Sequence, residues 1–184
     1  MTDSHIQAIR EVYARADRIY SQQDIEAAYD RMAAQITARL SDSNPLVLCV
    51  MVGGLIPAGQ LLPRLDFPLQ IDYIHATRYQ GKTQGGQLHW IVRPTYSLQD
   101  RVVLLIDDIL DEGVTLKALC EACADAGARE VLTAVLLDKV HDRKSGLVAT
   151  FKGLDVEDRY VFGCGMDYQG YLRNVPGIYA IAEK

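Results

Sequence analysis

The chain has 184 residues, of which 49% are hydrophobic and 23% are charged. These proportions exclude a disordered chain and favour one folded domain. The 19 Lys and Arg residues and the 24 Asp and Glu residues give a net charge of -5. This charge argues against a dedicated nucleic-acid binder or a protein of anionic membrane surfaces, because such proteins usually carry a basic stripe.

Two stretches bear on membranes and secretion. Residues 43–63 carry no charge, but prolines and glycines divide their apolar content into two short blocks. This pattern fits a buried strand followed by a helix better than a membrane span. The first thirty residues contain no apolar run of signal-peptide length. We therefore expect a cytoplasmic protein without a membrane or nucleic-acid partner.

Apolar periodicity predicts helices and strands that alternate along the chain. The first forty residues have a helical pattern, and Ser21 followed by Asp24 resembles a capping box. Residues 46–52 are an unbroken apolar run that ends in a glycine pair, which is typical of a strand buried on both faces. The other predicted helices are 55–62 and 115–126, and the other predicted strands are 68–79, 88–92, 102–106, 129–137, 160–162 and 178–181.

Strands that alternate with helices predict the fold class. We expect an α/β protein with an open, mainly parallel sheet flanked by helices. The predicted core covers about 45–140, and a small lobe (the hood) is formed by the N-terminal helices and about 140–184. Ligands of such sheets bind beyond the carboxyl ends of the strands, so the residues that follow each buried strand are the first candidates for a site.

The cysteines do not indicate a disulfide framework, because four are too few for a chain of this length. Cys120 and Cys123 form a C-x-x-C, a spacing found in zinc and redox sites, but no second pair follows at zinc-finger spacing. The pair lies within a predicted helix beside small apolar residues. We interpret it as structural.

The most informative segment follows the buried strand 102–106. It carries four acids within six residues, Asp107, Asp108, Asp111 and Glu112, and then Gly113 at the start of a predicted helix. Crowded carboxylates repel one another, so they suggest a cation or several hydroxyls to be bound. Free backbone N–H groups at a helix start bind anions such as phosphate. Together these features predict a sugar-phosphate ligand.

Three other interpretations share a strand followed by acids. A Walker B strand needs a Walker A loop, and residues 54–59 are followed by Gln60 and Leu61 where Lys and Ser or Thr are required. A receiver domain that is phosphorylated on aspartate would have its acid pair near the N-terminus, whereas the acids of this chain lie beyond residue 100. A solvated acidic turn that caps the helix leaves four adjacent acids unexplained.

Residues 103–115 match the 5-phosphoribosyl-1-pyrophosphate (PRPP) signature of the type I phosphoribosyltransferases, which this chain resembles. Residues 136–139 and 158–168 resemble the purine-binding segments of the hypoxanthine-guanine branch. The resemblance covers roughly 46–181. It implies Mg²⁺-dependent transfer of phosphoribosyl from PRPP to N9 of a 6-oxopurine, giving IMP or GMP and pyrophosphate.

The resemblance implies a role for each acid of the signature. Asp107 and Asp108 would accept hydrogen bonds from the ribose hydroxyls, and Asp111 would act near purine N7 as the general base or as a charge partner. The residues expected to bind the 5-phosphate are Glu112, Gly113, Val114 and Thr115. Glu112 stands where many members have a threonine, and because a carboxylate facing a phosphate would be repelled, we expect its side chain to turn outward or to meet a cation.

The purine site is implied by residues further along the chain. Lys139 would donate to the 6-oxo group, which favours hypoxanthine, guanine or xanthine over adenine. Tyr160 would stack on the base, and the Val161 backbone would read its 2-position edge. Asp167 is assigned to the purine site as well and would help to hold Mg²⁺. The full set of candidate Mg²⁺ ligands is Asp107, Asp108 and Asp167.

The remaining assignments concern pyrophosphate and a lid. Val52 and Gly53 correspond to the pyrophosphate loop, and the family often strains the peptide before its glycine pair, here Met51–Val52. Arg173 corresponds to a pyrophosphate-binding arginine. The glycine-rich residues 80–87 suit the family's lid, at whose start Arg78 and Tyr79 stand where several relatives have Ser-Tyr.

Two alternatives remain open. A PRPP-sensing regulatory protein on the same fold would have a degraded purine site, and a transferase for xanthine or a pyrimidine would use the same PRPP site. Lys139 does not distinguish xanthine from guanine as the substrate, because both bases carry a 6-oxo group. The family commonly forms dimers or tetramers, so we expect a homo-oligomer.

Overall fold

The computed structural model describes residues 3–78 and 88–182. Nine strands form two sheets within these residues, and the helices pack around them. The helices are α1 (Asp3–Arg15), α2 (Gln22–Leu40), α3 (Leu55–Leu61) and α4 (Val114–Asp125), with a 3₁₀ turn at Leu62–Arg64. The strands are β1 (Asp17–Tyr20), β2 (Leu46–Val50), β3 (Gln70–Arg78), β4 (Leu88–Val92), β5 (Val102–Leu110), β6 (Glu130–Val140), β7 (Phe151–Glu157), β8 (Val161–Phe162) and β9 (Ile178–Ala180).

The main sheet has six strands in the order β4-β3-β2-β5-β6-β7. All neighbouring pairs are parallel except β3 and β4, which are antiparallel at one edge. All five residues of β2 are buried, as expected for a central strand covered on both faces. The predicted open, mainly parallel α/β sheet is confirmed, and β2, β5 and β6 end side by side at one edge of it.

The second sheet is built from the two ends of the chain. β9 lies between β1 and β8 and is antiparallel to both, with Asp17 opposite Ala180. The first forty residues, predicted to be helical, therefore also contain a strand, because β1 separates α1 from α2. The capping box at the start of α2 is confirmed, with both reciprocal bonds between Ser21 and Asp24 present.

One strand of the main sheet was absent from the prediction. β7 contains Gly153 and two acids, and only Phe151 and Val156 are buried, so it shows neither an apolar run nor a period of two. It pairs in parallel with β6 and packs against α2. The division into core and hood stays a prediction, but β7 lies beyond residue 140 and belongs to the main sheet.

The C-x-x-C lies on α4, within the predicted helix. Cys120 and Cys123 are free thiols, and burial raises the pKa of Cys120 to about 11 and that of Cys123 to about 12. Both are therefore protonated near neutral pH, as expected for structural residues. Among the described residues, no helix is long and apolar enough to cross a membrane.

Candidate active site

A pair of adjacent carboxylates lies near the end of β5. The strand continues to Leu110, so Asp107 and Asp108 are strand residues, and the prediction that the strand ends at residue 106 is wrong. The backbone N–H of Asp108 donates to Asp107 Oδ1 (2.9 Å), and that of Ile109 donates to Asp108 Oδ1 (2.8 Å). Burial raises the pKa of both carboxyls, and the charge of Asp108 raises that of Asp107 further. The pair therefore favours a ligand that donates hydrogen bonds or brings positive charge.

The segment after β2 packs directly against this pair. The peptide bond between Met51 and Val52 is cis, at the position where the family resemblance implies a strained peptide. A Cβ added at Gly53 would lie 2.2 Å from Asp108 Oδ2, so the backbone approaches the carboxylate this closely only because the residue is glycine. The Val52 side chain is about half exposed beside it.

The start of α4 offers an anion site. Gly113 is the N-cap residue with φ +79°, a left-handed conformation that favours glycine. Since glycine supplies no side-chain cap, the first N–H groups of the helix stay available to an anion. A cavity of about 370 Å³ lies at this point. Its lining residues are Asp107, Ile109, Asp111, Glu112, Gly113, Val114, Thr115, Leu116 and Arg143.

Glu112 meets a cation at the rim of this cavity. Its carboxylate lies 3.9 Å from Arg143 Nε and is more than half exposed. Arg143 also binds the Asp158 carboxylate with two hydrogen bonds of 2.8 and 3.0 Å. The structure thus agrees with the expected orientation of Glu112, although Arg143 was not among the predicted site residues.

Asp111 is held by two donors from the end of β6. Lys139 Nζ lies 2.6 Å from Asp111 Oδ2, and His141 Nε2 lies 2.7 Å from Asp111 Oδ1. Burial raises the pKa of Asp111, but the hydrogen bonds and charges of its two partners outweigh burial, so the net pKa is lowered. Asp111 is therefore an ionised carboxylate at neutral pH.

Asp111, His141 and Asp158 also bring one ligand atom each to within 4.8 Å of one another, a spacing that could hold a metal ion. However, Lys139 and Arg143 already bind the two carboxylates. The cluster is best described as an ion-pair network.

A second cavity, of about 280 Å³, adjoins the first. Its lining residues are Asp108, Ile109, Asp111, Lys139, Tyr160, Val161, Met166 and Asp167. All four residues predicted to bind the purine are in this set, together with Ile109 and Met166, which were not predicted. Tyr160 Oη donates to the Asp167 carbonyl at 3.2 Å, while its ring remains half exposed. Ile109 and Asp111 line both cavities.

Arg173 contacts one acid of the PRPP signature, Asp108, and one of the purine-binding segment, Asp167. Its Nη2 lies 2.6 Å from Asp167 Oδ1, and its Nη1 lies 3.7 Å from Asp108 Oδ2 and donates to the Gly165 carbonyl. The guanidinium therefore balances carboxylates that are far apart in the sequence.

Two predictions concern the start of the lid. Arg78 is the last residue of β3. Tyr79 and the glycine-rich residues 80–87 lie outside the described residues.

His141 was not predicted as a site residue, but the sequence carries a signal that could have identified it. Alternation along an extended segment puts His141 on the same side as Lys139.

The fold and the site together define a phosphoribosyltransferase: an acidic strand end leads into an anion-binding helix start on an open parallel sheet. A family profile described as "Phosphoribosyl transferase domain" matches residues 15–169, and the chain belongs to this family. The family resemblance of residues 103–115 is thereby confirmed.

Its relatives include hypoxanthine-guanine phosphoribosyltransferases. The hypoxanthine-guanine phosphoribosyltransferase of Bacillus subtilis (strain 168) is 32% identical over 161 residues, which cover 87% of this chain and 89% of the relative. The hypoxanthine-guanine-xanthine phosphoribosyltransferase of Tritrichomonas foetus is 31% identical over 166 residues, which cover 90% of this chain and 91% of the relative. A crystal structure of a hypoxanthine phosphoribosyltransferase from Staphylococcus aureus aligns with a TM-score of 0.87 at 27% identity, covering 92% of this chain and 94% of that chain.

Proposed function

We propose that the protein transfers the phosphoribosyl group of PRPP to N9 of hypoxanthine or guanine, forming IMP or GMP and releasing pyrophosphate. The observation that carries this proposal is the pair of adjoining cavities that share Asp111. One cavity has a helix start suited to a phosphate, and the other has an aromatic ring and an ammonium group suited to a 6-oxopurine.

In the phosphate cavity, the backbone N–H groups at the start of α4 and the Thr115 hydroxyl bind the 5-phosphate. Asp107 and Asp108 accept hydrogen bonds from the ribose hydroxyls and stabilise positive charge as the ring becomes oxocarbenium-like. The backbone at Gly53 and the Arg173 guanidinium bind the pyrophosphate, whose negative charge grows as it leaves.

In the purine cavity, Lys139 donates to O6 and Tyr160 packs against the face of the base. An adenine amine would face the ammonium group of Lys139 donor to donor, so adenine is disfavoured. Asp111 is ionised and accepts the proton from purine N7, or stabilises the protonated base, while N9 attacks the anomeric carbon and the bond from that carbon to pyrophosphate breaks.

The acids of the site are of the chemical type that binds a Mg²⁺ cofactor. Asp107, Asp108 and Asp167 are carboxylates, the ligand type that Mg²⁺ prefers, and the raised pKa values of the buried pair mark a place where positive charge is stabilising. These three residues would hold the ion, which would neutralise charge on pyrophosphate when bound.

A steady-state assay with PRPP and each of hypoxanthine, guanine, xanthine and adenine, with Mg²⁺ or excess EDTA, tests the proposal. We expect turnover of hypoxanthine or guanine only with Mg²⁺. Full activity in EDTA, or a preference for adenine, would contradict it. PRPP binding without turnover of any base would instead support the regulatory alternative.

Xanthine is a second candidate substrate, since the Tritrichomonas relative is named for it and Lys139 suits its 6-oxo group equally well. The homo-oligomeric state and the cytoplasmic location stay predictions from the sequence.

A further inference from the structure

His141 has no role in the function proposed above, although it contacts Asp111. Its side chain is 3% exposed, whereas that of Asp111 is 44% exposed. His141 is also absent from the residues that line either cavity. Its hydrogen bond to Asp111 therefore connects His141 to both cavities.

The hydrogen bonds of His141 fix which ring nitrogen carries the proton. The backbone N–H of Arg143 donates to His141 Nδ1 at 3.1 Å, so Nδ1 is the acceptor and the proton of the neutral ring lies on Nε2. This Nε2–H is 2.7 Å from Asp111 Oδ1 and donates to it. The imidazole therefore links the backbone of the 141–145 segment to the carboxylate.

That segment is itself attached to both strand ends. Lys144 Nζ donates to the Leu110 carbonyl and to Asp138 Oδ1, each at 2.6 Å. The backbone N–H of Ser145 donates to the Glu112 carbonyl at 2.7 Å. These bonds hold His141 at a defined position relative to the loop that carries Asp111.

The two donors to Asp111, Lys139 and His141, differ in their access to a bound purine. Lys139 Nζ holds Oδ2 and also lines the purine cavity, so a 6-oxopurine draws it towards O6. His141 does not line the purine cavity, so the base offers it no competing acceptor and it retains Oδ1. We propose that His141 is a positioning residue, which holds Asp111 through Oδ1 so that Oδ2 faces purine N7 when Lys139 turns to the base. This inference rests on the proposed function.

Kinetics of His141→Leu and His141→Gln test the proposal. Leucine removes the donor, and we expect kcat with the preferred purine to fall about ten- to a hundredfold, the effect of losing one hydrogen bond to a charged group. We expect KM for PRPP to change by less than about threefold, the effect of losing one weak exposed ion pair, because His141 does not line the phosphate cavity. Glutamine keeps an N–H donor near the position of Nε2, so it should restore most of kcat.

The pH profile supplies a readout that a purely structural role would not move. Besides Lys139 and His141, Asp111 faces Arg143 and Asp158, with Glu112 beside it and Asp108 and Asp167 in the purine cavity. Loss of a donor to the ionised form raises the pKa of a carboxyl. The acidic limb of kcat/KM should therefore move to higher pH in His141→Leu and return towards the wild type in His141→Gln.

His89→Leu is the matched control, because His89 is exposed on β4, at the opposite edge of the main sheet from β7. It should leave kcat and the profile unchanged. ¹⁵N NMR of the wild-type imidazole gives a test that needs no variant, so a misfolded His141→Leu would not prevent a decision. We expect the Nε2–H tautomer for His141.

An Nδ1–H tautomer would overturn the inference. An active wild type whose kcat and pH profile survive His141→Leu would overturn the inference alone. A wild type inactive with every purine would overturn the proposed function and this inference with it.

Discussion

Replacing Gly53 with alanine tests whether close packing of backbone against carboxylate is needed for PRPP binding. The added Cβ would lie 2.2 Å from Asp108 Oδ2 and 2.5 Å from Asp108 Cγ. Favourable contacts between heavy atoms begin at about 3.5 Å, so the carboxylate or the loop has to move by about 1 Å. Asp108 is buried and accepts the N–H of Ile109, which prevents it from turning away freely.

The expected cost has two parts. Overpacking of a buried site destabilises the fold by about 1–3 kcal/mol, which lowers Tm by about 2–4 °C per kcal/mol in a chain of this size. Displacement of Asp108 also loses a hydrogen bond between a charged group and the ribose, which contributes about 1.5–3 kcal/mol. PRPP affinity should therefore fall about ten- to a hundredfold.

Isothermal titration calorimetry with PRPP and Mg²⁺, together with thermal unfolding, measures both effects. Gly59→Ala is the matched control, because Gly59 lies within α3 and a Cβ there would meet nothing within 4 Å. That variant should bind PRPP normally and gain about 0.5–1 kcal/mol of stability. A Gly53→Ala protein with wild-type PRPP affinity would refute the assignment of Asp108 to the ribose.

Three further predictions concern the acids. Asp111→Asn should keep PRPP affinity and lower kcat by about 10²- to 10⁴-fold, the range for a lost general base; a kcat within a few-fold of wild type would make Asp111 a positioning group. Glu112→Gln should change the PRPP Kd by less than tenfold, or about 1.4 kcal/mol, because Arg143 already meets the carboxylate; tighter binding by tenfold or more would mean that Glu112 faces the phosphate. Asp107→Asn should abolish most activity yet stabilise the fold near pH 8. The raised pKa of Asp107 means that the folded state binds a proton more tightly than the unfolded state, so ionisation destabilises the fold as pH rises above about 4. Urea unfolding at pH 5 and pH 8 should show the larger gain at pH 8, and an equal or opposite change would contradict this.

Elements with strong local signals could be predicted from the residues alone. Residues 46–52 and 102–106 predicted buried strands because each is an unbroken apolar run, although the first strand ends at Val50 and the second continues to Leu110. Ser21 and Asp24 marked a helix start through bonds that span three residues. The acid-rich segment ending at Gly113 indicated phosphate and hydroxyl binding, because crowded carboxylates and a glycine at a helix start have few other uses.

Contacts between groups far apart in the chain could not be predicted, because they depend on how the strands pair. β1 forms because Asp17 pairs with Ala180 at the other end of the chain, and no local pattern in residues 17–20 reports that partner. The same holds for side chains: His141 reaches Asp111 because parallel pairing of β5 and β6 brings their carboxyl ends together. The order of the strands sets the distances between such side chains, whereas their separation in the sequence does not. The chemical character of the site could therefore be predicted from its residues, but its hydrogen-bond partners could not.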